Sequence, residues 1–143
     1  IDGDRLCKAV ALQLDLNSIA AGYAVDLVID RLKALGVQSY LVEITGELKA
    51  ERRKPDGSPC RIAIEAPRDE QRVAQKIVEL DGMGVSTSGD YRNYFERDGR
   101  RYSHTLDPQS GQPIEHHLAA VTVIDKSTLR ADGLSTALMV LGP

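Results

Sequence analysis

Residues 86–113 read STSGDYRNYFERDGRRYSHTLDPQSGQP, and the rest of the chain is best interpreted outward from this stretch. Asp98-Gly99 separates two tyrosine-bearing segments, which predicts a β-hairpin because a tight turn needs a positive φ that glycine adopts at no steric cost. The hairpin is expected to deliver His104 to the mouth of a loop. The small residues at 86–89 are expected to leave room for a flat or phosphorylated group beside the backbone.

A second turn is predicted after the hairpin. Asp107-Pro108 with Gly111 shortly after indicates it, because proline presets φ and glycine tolerates a positive value. His104 beside this turn could act as a general acid or base, or position a substrate. A lone histidine is more often an ordinary surface side chain, so the residue type alone leaves both interpretations open.

The segment before this stretch has the pattern of a strand, a helix and a strand. Alternating apolar residues over 8–16 indicate a strand with one buried face. Asn17 or Ser18 is expected to cap a helix with one apolar stripe, and Gly36 suits its left-handed C-terminal position. Residues 39–44 (SYLVEI) are the next predicted strand. Such a unit with short connections favours α/β or α+β packing.

Further elements are predicted on both sides of the stretch. Before it, the patterns indicate a polar loop at 51–59, a strand at 61–66, a helix or a strand at 69–80 and a turn at 81–84. After it, residues 118–124 predict a strand. A final helix is expected to be capped by Ser127 or Asp132 and to reach Leu141.

Composition restricts the class of protein. The 143 residues are 42% hydrophobic and 27% charged, which is typical of one globular domain with a real core. The net charge is −3 and no basic stripe is present, which argues against nucleic acid as the main partner. The chain starts at Ile1 rather than Met, so we expect it to be part of a longer protein. Cys7 and Cys60 form no C-x-x-C pair and are interpreted as unpaired thiols, with a disulfide left open.

Two short motifs suggest anion and metal chemistry. Residues 15–18 lead into a helix N-terminus, whose free N–H groups and dipole favour anions, although they could simply cap the helix. Asp132 and Thr136 lie four residues apart on the last helix and share a face, with Ser135 alongside. Carboxylate and hydroxyl oxygens are ligands that Mg²⁺ accepts. A capping Asp and a buried Thr would give the same pattern.

The combination of motifs resembles the ApbE family of FAD:protein FMN transferases, once described as thiamine-biosynthesis lipoproteins. In order, the motifs are DLNSIAAGYAVD (15–26), VEITGE (42–47), STSGDYRNY (86–94), SHTLDPQSGQP (103–113) and ADGLSTAL (131–138). The resemblance covers nearly the whole chain and implies that residues 1–143 are a single-domain C-terminal portion of a family member. It also implies an α+β fold with a mixed or antiparallel sheet and packed helices, ApbE-like and T-fold-like.

The resemblance implies that FAD and Mg²⁺ bind and that FMN is transferred to a threonine hydroxyl of a target flavoprotein, with release of AMP. It implies an acceptor among the flavoprotein subunits of membrane redox complexes. It further implies a periplasmic parent protein that an N-terminal lipid anchors in the inner membrane. Carried over by motif, the site residues are His104 as catalytic residue, Asp15, Ala21 and Leu106 as FAD contacts, and Ser18, Asp132, Ser135 and Thr136 as magnesium-site positions.

The sequence departs from the family pattern at several positions. Asn-Ser at 17–18 and Thr-Gly at 45–46 stand where many members have Gly-Gly. Ala21 stands where many have Lys, which puts one contact to the cofactor in doubt. Cys60 stands where Trp is usual, which concerns local packing more than chemistry.

Two other functions use the same residues and stay open at this point. An FAD pyrophosphatase would use water instead of threonine and yield FMN and AMP. A non-catalytic flavin-binding module would hold FAD unchanged. Residues 1–143 alone are expected to be inactive, because the flavin ring needs an apolar or aromatic wall and this chain has no Trp and one Phe.

Overall fold

The computed structural model describes residues 3–67, 73–91 and 94–143. In chain order, the elements are α1 (Asn17–Ala34), β1 (Tyr40–Ile44), β2 (Glu47–Glu51), β3 (Cys60–Glu65), β4 (Ala74–Leu80), β5 (Met83–Gly89), β6 (Tyr94–Arg97), β7 (Arg100–Ser103), β8 (Ala120–Asp125) and α2 (Thr128–Leu141). Strands β1, β2, β5 and β8 form a four-stranded sheet in that order, and β3–β4 and β6–β7 form separate hairpins. All these pairings are antiparallel. The predicted α+β class with an antiparallel sheet and packed helices is confirmed.

The predicted strand at 8–16 is wrong, and with it the strand–helix–strand unit. These residues adopt no regular secondary structure, and their apolar side chains are exposed, Val10 by 72% and Leu14 by 58%. A strand is stabilised by hydrogen bonds to a neighbouring strand and by burial of one face. Within the described part of the chain, nothing supplies either of these to the segment.

Helix α1 ends as predicted but starts differently. Leu16 is the N-terminal cap residue and has no side-chain cap bond, so the prediction that Asn17 or Ser18 caps the helix is wrong. Asp15 accepts a hydrogen bond from the N–H of Asn17 at 2.8 Å and so orders the approach to the helix. Gly36 follows the last turn with φ +79°, the left-handed conformation that often terminates helices.

Strand β2 was not predicted, and the polar loop after it is shorter than expected. Thr45 and Gly46 have φ +55° and +110°, which closes a tight hairpin turn between β1 and β2. The alternation of Leu48 and Ala50 with charged residues is a strand signal. That signal is weak by itself, because the segment is short, directly follows a Thr-Gly turn and leads into a polar loop.

The central hairpin and the final helix are confirmed. Asp98 and Gly99 have φ +53° and +73° at the tip between β6 and β7, and Gly111 has φ +67° in the second turn. Helix α2 is capped by Ser127, whose side chain accepts a hydrogen bond from the N–H of Arg130.

The remaining boundaries differ in detail. Part of the ambiguous 69–80 segment is a strand, because β4 starts at Ala74, while 69–72 lie outside the described residues. The predicted turn at 81–84 ends early, because β5 already starts at Met83. The predicted strands at 39–44, 61–66 and 118–124 correspond to β1, β3 and β8 within one or two residues.

The helices and the β3–β4 hairpin cover opposite faces of the four-stranded sheet. Val85 on β5 packs with the hairpin residues Cys60 and Leu80, whereas the next residue, Ser86, contacts Ser135 on α2. Successive strand residues point to opposite faces, so the sheet is the middle of three layers. Cys60 is buried in the hairpin-side core, Cys7 is exposed, and both thiols are free. No helix among the described residues is long and apolar enough to span a membrane.

Candidate functional site

Helix α1 crosses α2 at Gly22, and this crossing builds the site. A Cβ atom at Gly22 would lie 2.5 Å from the carbonyl oxygen of Thr128 and 2.8 Å from Cβ of Asp132, so only glycine permits the approach. The N–H of Gly22 donates to Oδ2 of Asp132 at 2.9 Å, across 110 residues of sequence. Ser18 lies one turn before Gly22 on the same side of α1 and is half-buried.

Asp132 is a buried carboxylate in the second turn of α2, 5% exposed, and it does not cap the helix as one interpretation allowed. Ser127 takes that role, while the Asp132 side chain faces α1. Burial raises the pKa of the Asp132 carboxyl, and the hydrogen bond from the N–H of Gly22 only partly opposes this effect. Its raised pKa means that the surrounding groups do not supply enough positive charge or hydrogen bonds to compensate for burial of the ionised carboxylate.

Four hydroxyl groups from α2 and β5 surround the carboxyl-bearing turn. The Oγ atom of Ser135 lies 3.2 Å from that of Ser86 and 2.8 Å from that of Ser88. The hydroxyl oxygens of Ser88 and Thr136 are 3.1 Å apart. The expectation of open backbone at 86–89 is therefore wrong for Ser86, which is 1% exposed inside the sheet. Ser86 is buried because α2 covers it, whereas Thr87 in the same segment is exposed, and the sequence pattern did not indicate this difference.

Glu47 adds a second carboxylate from the start of β2. Its Oε1 lies 3.5 Å from Oγ of Ser86, and its Oε2 accepts a hydrogen bond from Thr45 at 3.1 Å. Burial raises the pKa of Glu47, and the negative charge of Asp132 raises it further. We call the six side chains of Glu47, Ser86, Ser88, Asp132, Ser135 and Thr136 the oxygen cluster. The sequence analysis quoted Glu47 within a motif but assigned it no role.

The oxygen cluster suits a hard divalent cation. Among the described residues, no Lys, Arg or His side chain forms an ion pair with Asp132 or Glu47. The described part of the chain also has no group of three or more His, Cys, Asp or Glu side chains that could hold a metal. Mg²⁺ typically uses one or two protein carboxylates together with phosphate oxygens and water, so the donor set fits it.

The other predicted site residues lie on neighbouring segments. Asp15 is exposed immediately before α1, and Ala21 is half-buried beside Gly22. His104 is exposed directly after β7, and Leu106 is 54% exposed in the following loop. That loop is shaped by its own hydrogen bonds, including the N–H of Asp107 to the carbonyl of Gln112 at 2.8 Å. Of the predicted metal-site positions on α2, Asp132 contacts α1 directly. The predicted positions Asp15, His104 and Leu106 are exposed, and Ala21 is half-buried.

An open cavity of about 520 Å³ lies on the hairpin side of the sheet. Its apolar walls include Leu48 and Ile62, and Tyr91 adds an aromatic ring. Glu43 and Glu65 also line it. The volume is typical of a small-molecule pocket, but carboxylates in the lining disfavour phosphate groups. We therefore assign this cavity no part in phosphate binding.

Comparison with known proteins places these features in one family. The family model described as "ApbE family" matches residues 1–143. The FAD:protein FMN transferase of Vibrio cholerae serotype O1 is 50% identical over 143 residues, which cover 99% of this chain and 43% of that protein. The chain therefore spans less than half the length of this relative.

Solved structures share the fold. The crystal structure of Pseudomonas stutzeri flavinyl transferase ApbE in its apo form is 94% identical with a TM-score of 0.87, over 100% of this chain and 44% of that one. The crystal structure of the ApbE protein from Thermotoga maritima is 34% identical with a TM-score of 0.81, over 90% of this chain and 41% of that one. With a family match over its whole length and this shared fold, the chain belongs to the ApbE family.

Proposed function

We propose that the full-length protein, at the length of its relatives, transfers FMN from FAD to a threonine hydroxyl of a target flavoprotein and releases AMP. The observation that supports this most is the oxygen cluster at the α1–α2 crossing, in a chain that matches the ApbE family throughout. The curated relative from Vibrio cholerae carries the name FAD:protein FMN transferase.

In this proposal, Mg²⁺ is held by Asp132, Ser135 and Thr136 from α2 and by Ser18 from α1. When bound, the cation neutralises charge on the pyrophosphate oxygens. The chain's own contribution is a rigid set of donors, since Gly22 fixes the Asp132 carboxylate and the β5 hydroxyls hold Ser135.

His104 is the proposed general base. A neutral imidazole takes the proton of the attacking threonine hydroxyl, whose oxygen forms a bond to the phosphorus of the FMN moiety. The bond from that phosphorus to the bridging oxygen breaks, and AMP leaves with the electron pair. Asp15, Ala21 and Leu106 are the proposed contacts to FAD, and the nearby N-terminus of α1 favours its phosphates.

The test uses the full-length protein with FAD, Mg²⁺ and a candidate acceptor protein. Covalent flavin on the acceptor together with AMP supports transfer. Free FMN and AMP in the presence of the acceptor would make the protein an FAD pyrophosphatase, and unchanged FAD would make it a flavin-binding module. An acceptor in which the target threonine is replaced by valine is the matched control, and EDTA tests the need for a divalent cation.

We also propose a periplasmic location with an N-terminal lipid anchor in the inner membrane, and acceptors among the flavoprotein subunits of membrane redox complexes. The support for both is the family resemblance. Fractionation of cells that express the full-length protein, combined with metabolic lipid labelling, tests the location. Recovery of unlabelled protein in the cytoplasm would contradict it.

A further inference from the structure

We propose that Glu47 is a positioning residue of the cation site, which orients the Ser86–Ser135 hydroxyl pair and supplies the second carboxylate beside Asp132. The inference rests on the proposed function, because the cation is part of that function. It names a residue from β2, outside the segments that the sequence motifs assigned to the metal.

The geometry starts from the pairing of β2 with β5. Leu48 lies opposite Val85, so the residues next to them, Glu47 and Ser86, are neighbours on the other face of the sheet. That face is the one that α2 covers, because Ser86 contacts Ser135. Glu47 therefore approaches α2 from the sheet while Asp132 approaches from the helix.

The two hydroxyl groups between them donate in different directions. An ionised carboxylate can only accept, so Ser86 donates to Glu47, although the 3.5 Å distance makes this bond long. Ser135 donates its one proton to the backbone carbonyl of Asp132 at 2.9 Å, so its oxygen can only accept from Ser86, 3.2 Å away. Because Glu47 draws the Ser86 proton toward itself, a lone pair of the Ser135 oxygen stays available to a cation. Glu47 thus acts through Ser86 rather than by direct contact with substrate.

The charge balance supports the same role. Lys49 lies two residues along β2 and faces the same layer, yet its Nζ lies 3.7 Å from Asp26 and donates to the carbonyl of Lys126. Lys49 therefore does not form an ion pair with Glu47. Among the described residues, the two carboxylates of the oxygen cluster have no basic side chain at ion-pair distance, which leaves a divalent cation as the natural counter-charge.

The experiment measures Mg²⁺ affinity in the full-length protein without FAD. MgCl₂ is titrated while the rise in Tm is followed, because a ligand that binds the folded state stabilises it by an amount that depends on its Kd. Glu47→Gln is expected to weaken Mg²⁺ binding by roughly 10- to 100-fold, the usual effect of losing an outer-shell partner. Glu43→Gln, an exposed glutamate on the same β1–β2 hairpin, is the matched control and should bind as the wild type does.

Two further variants make every outcome decisive. Asp132→Asn should lose Mg²⁺ stabilisation. If it does and Glu47→Gln binds normally, the inference about Glu47 is overturned while the proposed cation site stands. If Asp132→Asn binds normally, the cation site itself is misplaced. Should Glu47→Gln fail to fold, Ser86→Ala removes the link to Ser135 and is expected to weaken Mg²⁺ binding severalfold, whereas unchanged binding would overturn the positioning role.

Discussion

Helix α2 is contacted by carboxylates in two regions, and their surroundings differ. At its N-terminus, the carboxylate of Asp26 accepts hydrogen bonds from the Ser127 hydroxyl at 2.9 Å and from the N–H groups of Thr128 and Leu129 at 3.1 Å each. Lys49 lies within ion-pair distance. We call this set the α2 clamp. One turn later, the oxygen cluster contains Asp132 with the N–H of Gly22 as donor and no basic partner among the described residues.

The pKa shifts of the two regions run in opposite directions. Burial alone would raise the pKa of Asp26, but the hydrogen bonds from Leu129, Thr128 and Ser127 outweigh it and hold that pKa below its ordinary value. Burial raises the pKa of Asp132 and of Glu47. The same chemical group therefore accepts several hydrogen bonds in one place and few in the other. The supply of donors, rather than the residue type, separates the two.

The largest expected effect comes from His104, which lies outside both regions. In His104→Ala, FMN transfer by the full-length protein should fall roughly 10²- to 10⁴-fold, the usual cost of losing a general acid or base. The Mg²⁺-dependent rise in Tm should be unchanged. A loss confined to FAD affinity, measured by flavin fluorescence, would instead make His104 a cofactor contact.

Asp132→Asn tests the oxygen cluster directly. We expect Mg²⁺-dependent transfer to fall by more than about 100-fold, because a ligand should matter more than its outer-shell partners. The fold should persist, since the amide oxygen can still accept from the N–H of Gly22. A sharp drop in Tm with intact Mg²⁺ dependence would show that Asp132, like Asp26, stabilises the fold and does not bind the cation.

Gly22→Ala should damage the clamp and the cluster together, because both depend on the close crossing of α1 and α2. The added methyl group would overlap backbone atoms of α2, and we expect a loss of about 1–3 kcal/mol in the free energy of unfolding. Gly133→Ala is the control, because its Cβ would meet only the end of the Ile19 side chain at 3.2 Å. Equal stability of the two variants in urea would contradict the tight crossing.

Asp26→Asn should lower stability while leaving Mg²⁺ affinity nearly unchanged, and so should distinguish the α2 clamp from the oxygen cluster. Loss of the charged cap is expected to cost about 0.5–2 kcal/mol of stability, as for other helix N-terminal caps. The Mg²⁺ affinity of the folded protein should change less than about twofold, since the cluster's own donors remain. If Mg²⁺ binding falls as far as in Asp132→Asn, the two regions act as one unit and the contrast between them fails.

The smallest effect is the pH dependence of the clamp. Because the pKa of Asp26 is lowered in the fold, its contribution is present at neutral pH and is lost as the pH falls through the folded-state value. The difference in unfolding free energy between wild type and Asp26→Asn should be constant near pH 7 and shrink below about pH 5. Chemical denaturation at several pH values measures it. A constant difference down to acidic pH would contradict the lowered pKa.

Local features of the fold could be predicted from the sequence. The Asp98-Gly99 hairpin tip, the helix end at Gly36 and the cap at Ser127 all depend on the conformational preferences of a few adjacent residues, and all three are confirmed. The shared face of Asp132 and Thr136 follows from helical periodicity in the same way. The functional roles of these two residues, and of the other predicted site positions, stay predictions.

Tertiary structure decided what periodicity could not. The alternation over 8–16 is as regular as that of a strand, yet no described strand pairs with it, whereas the polar β2 found a partner on each side. The contacts of Gly22 with Asp132, Asp26 with Ser127, and Glu47 with Ser86 span 110, 101 and 39 residues. Turn and helix preferences act over a few residues, so the sequence by itself determined the hairpin tip at Asp98-Gly99, the helix end at Gly36 and the cap at Ser127. Which carboxylate accepts several hydrogen bonds and which accepts few depends on donors from distant elements, and only packing of α1, β2 and β5 against α2 brings them together.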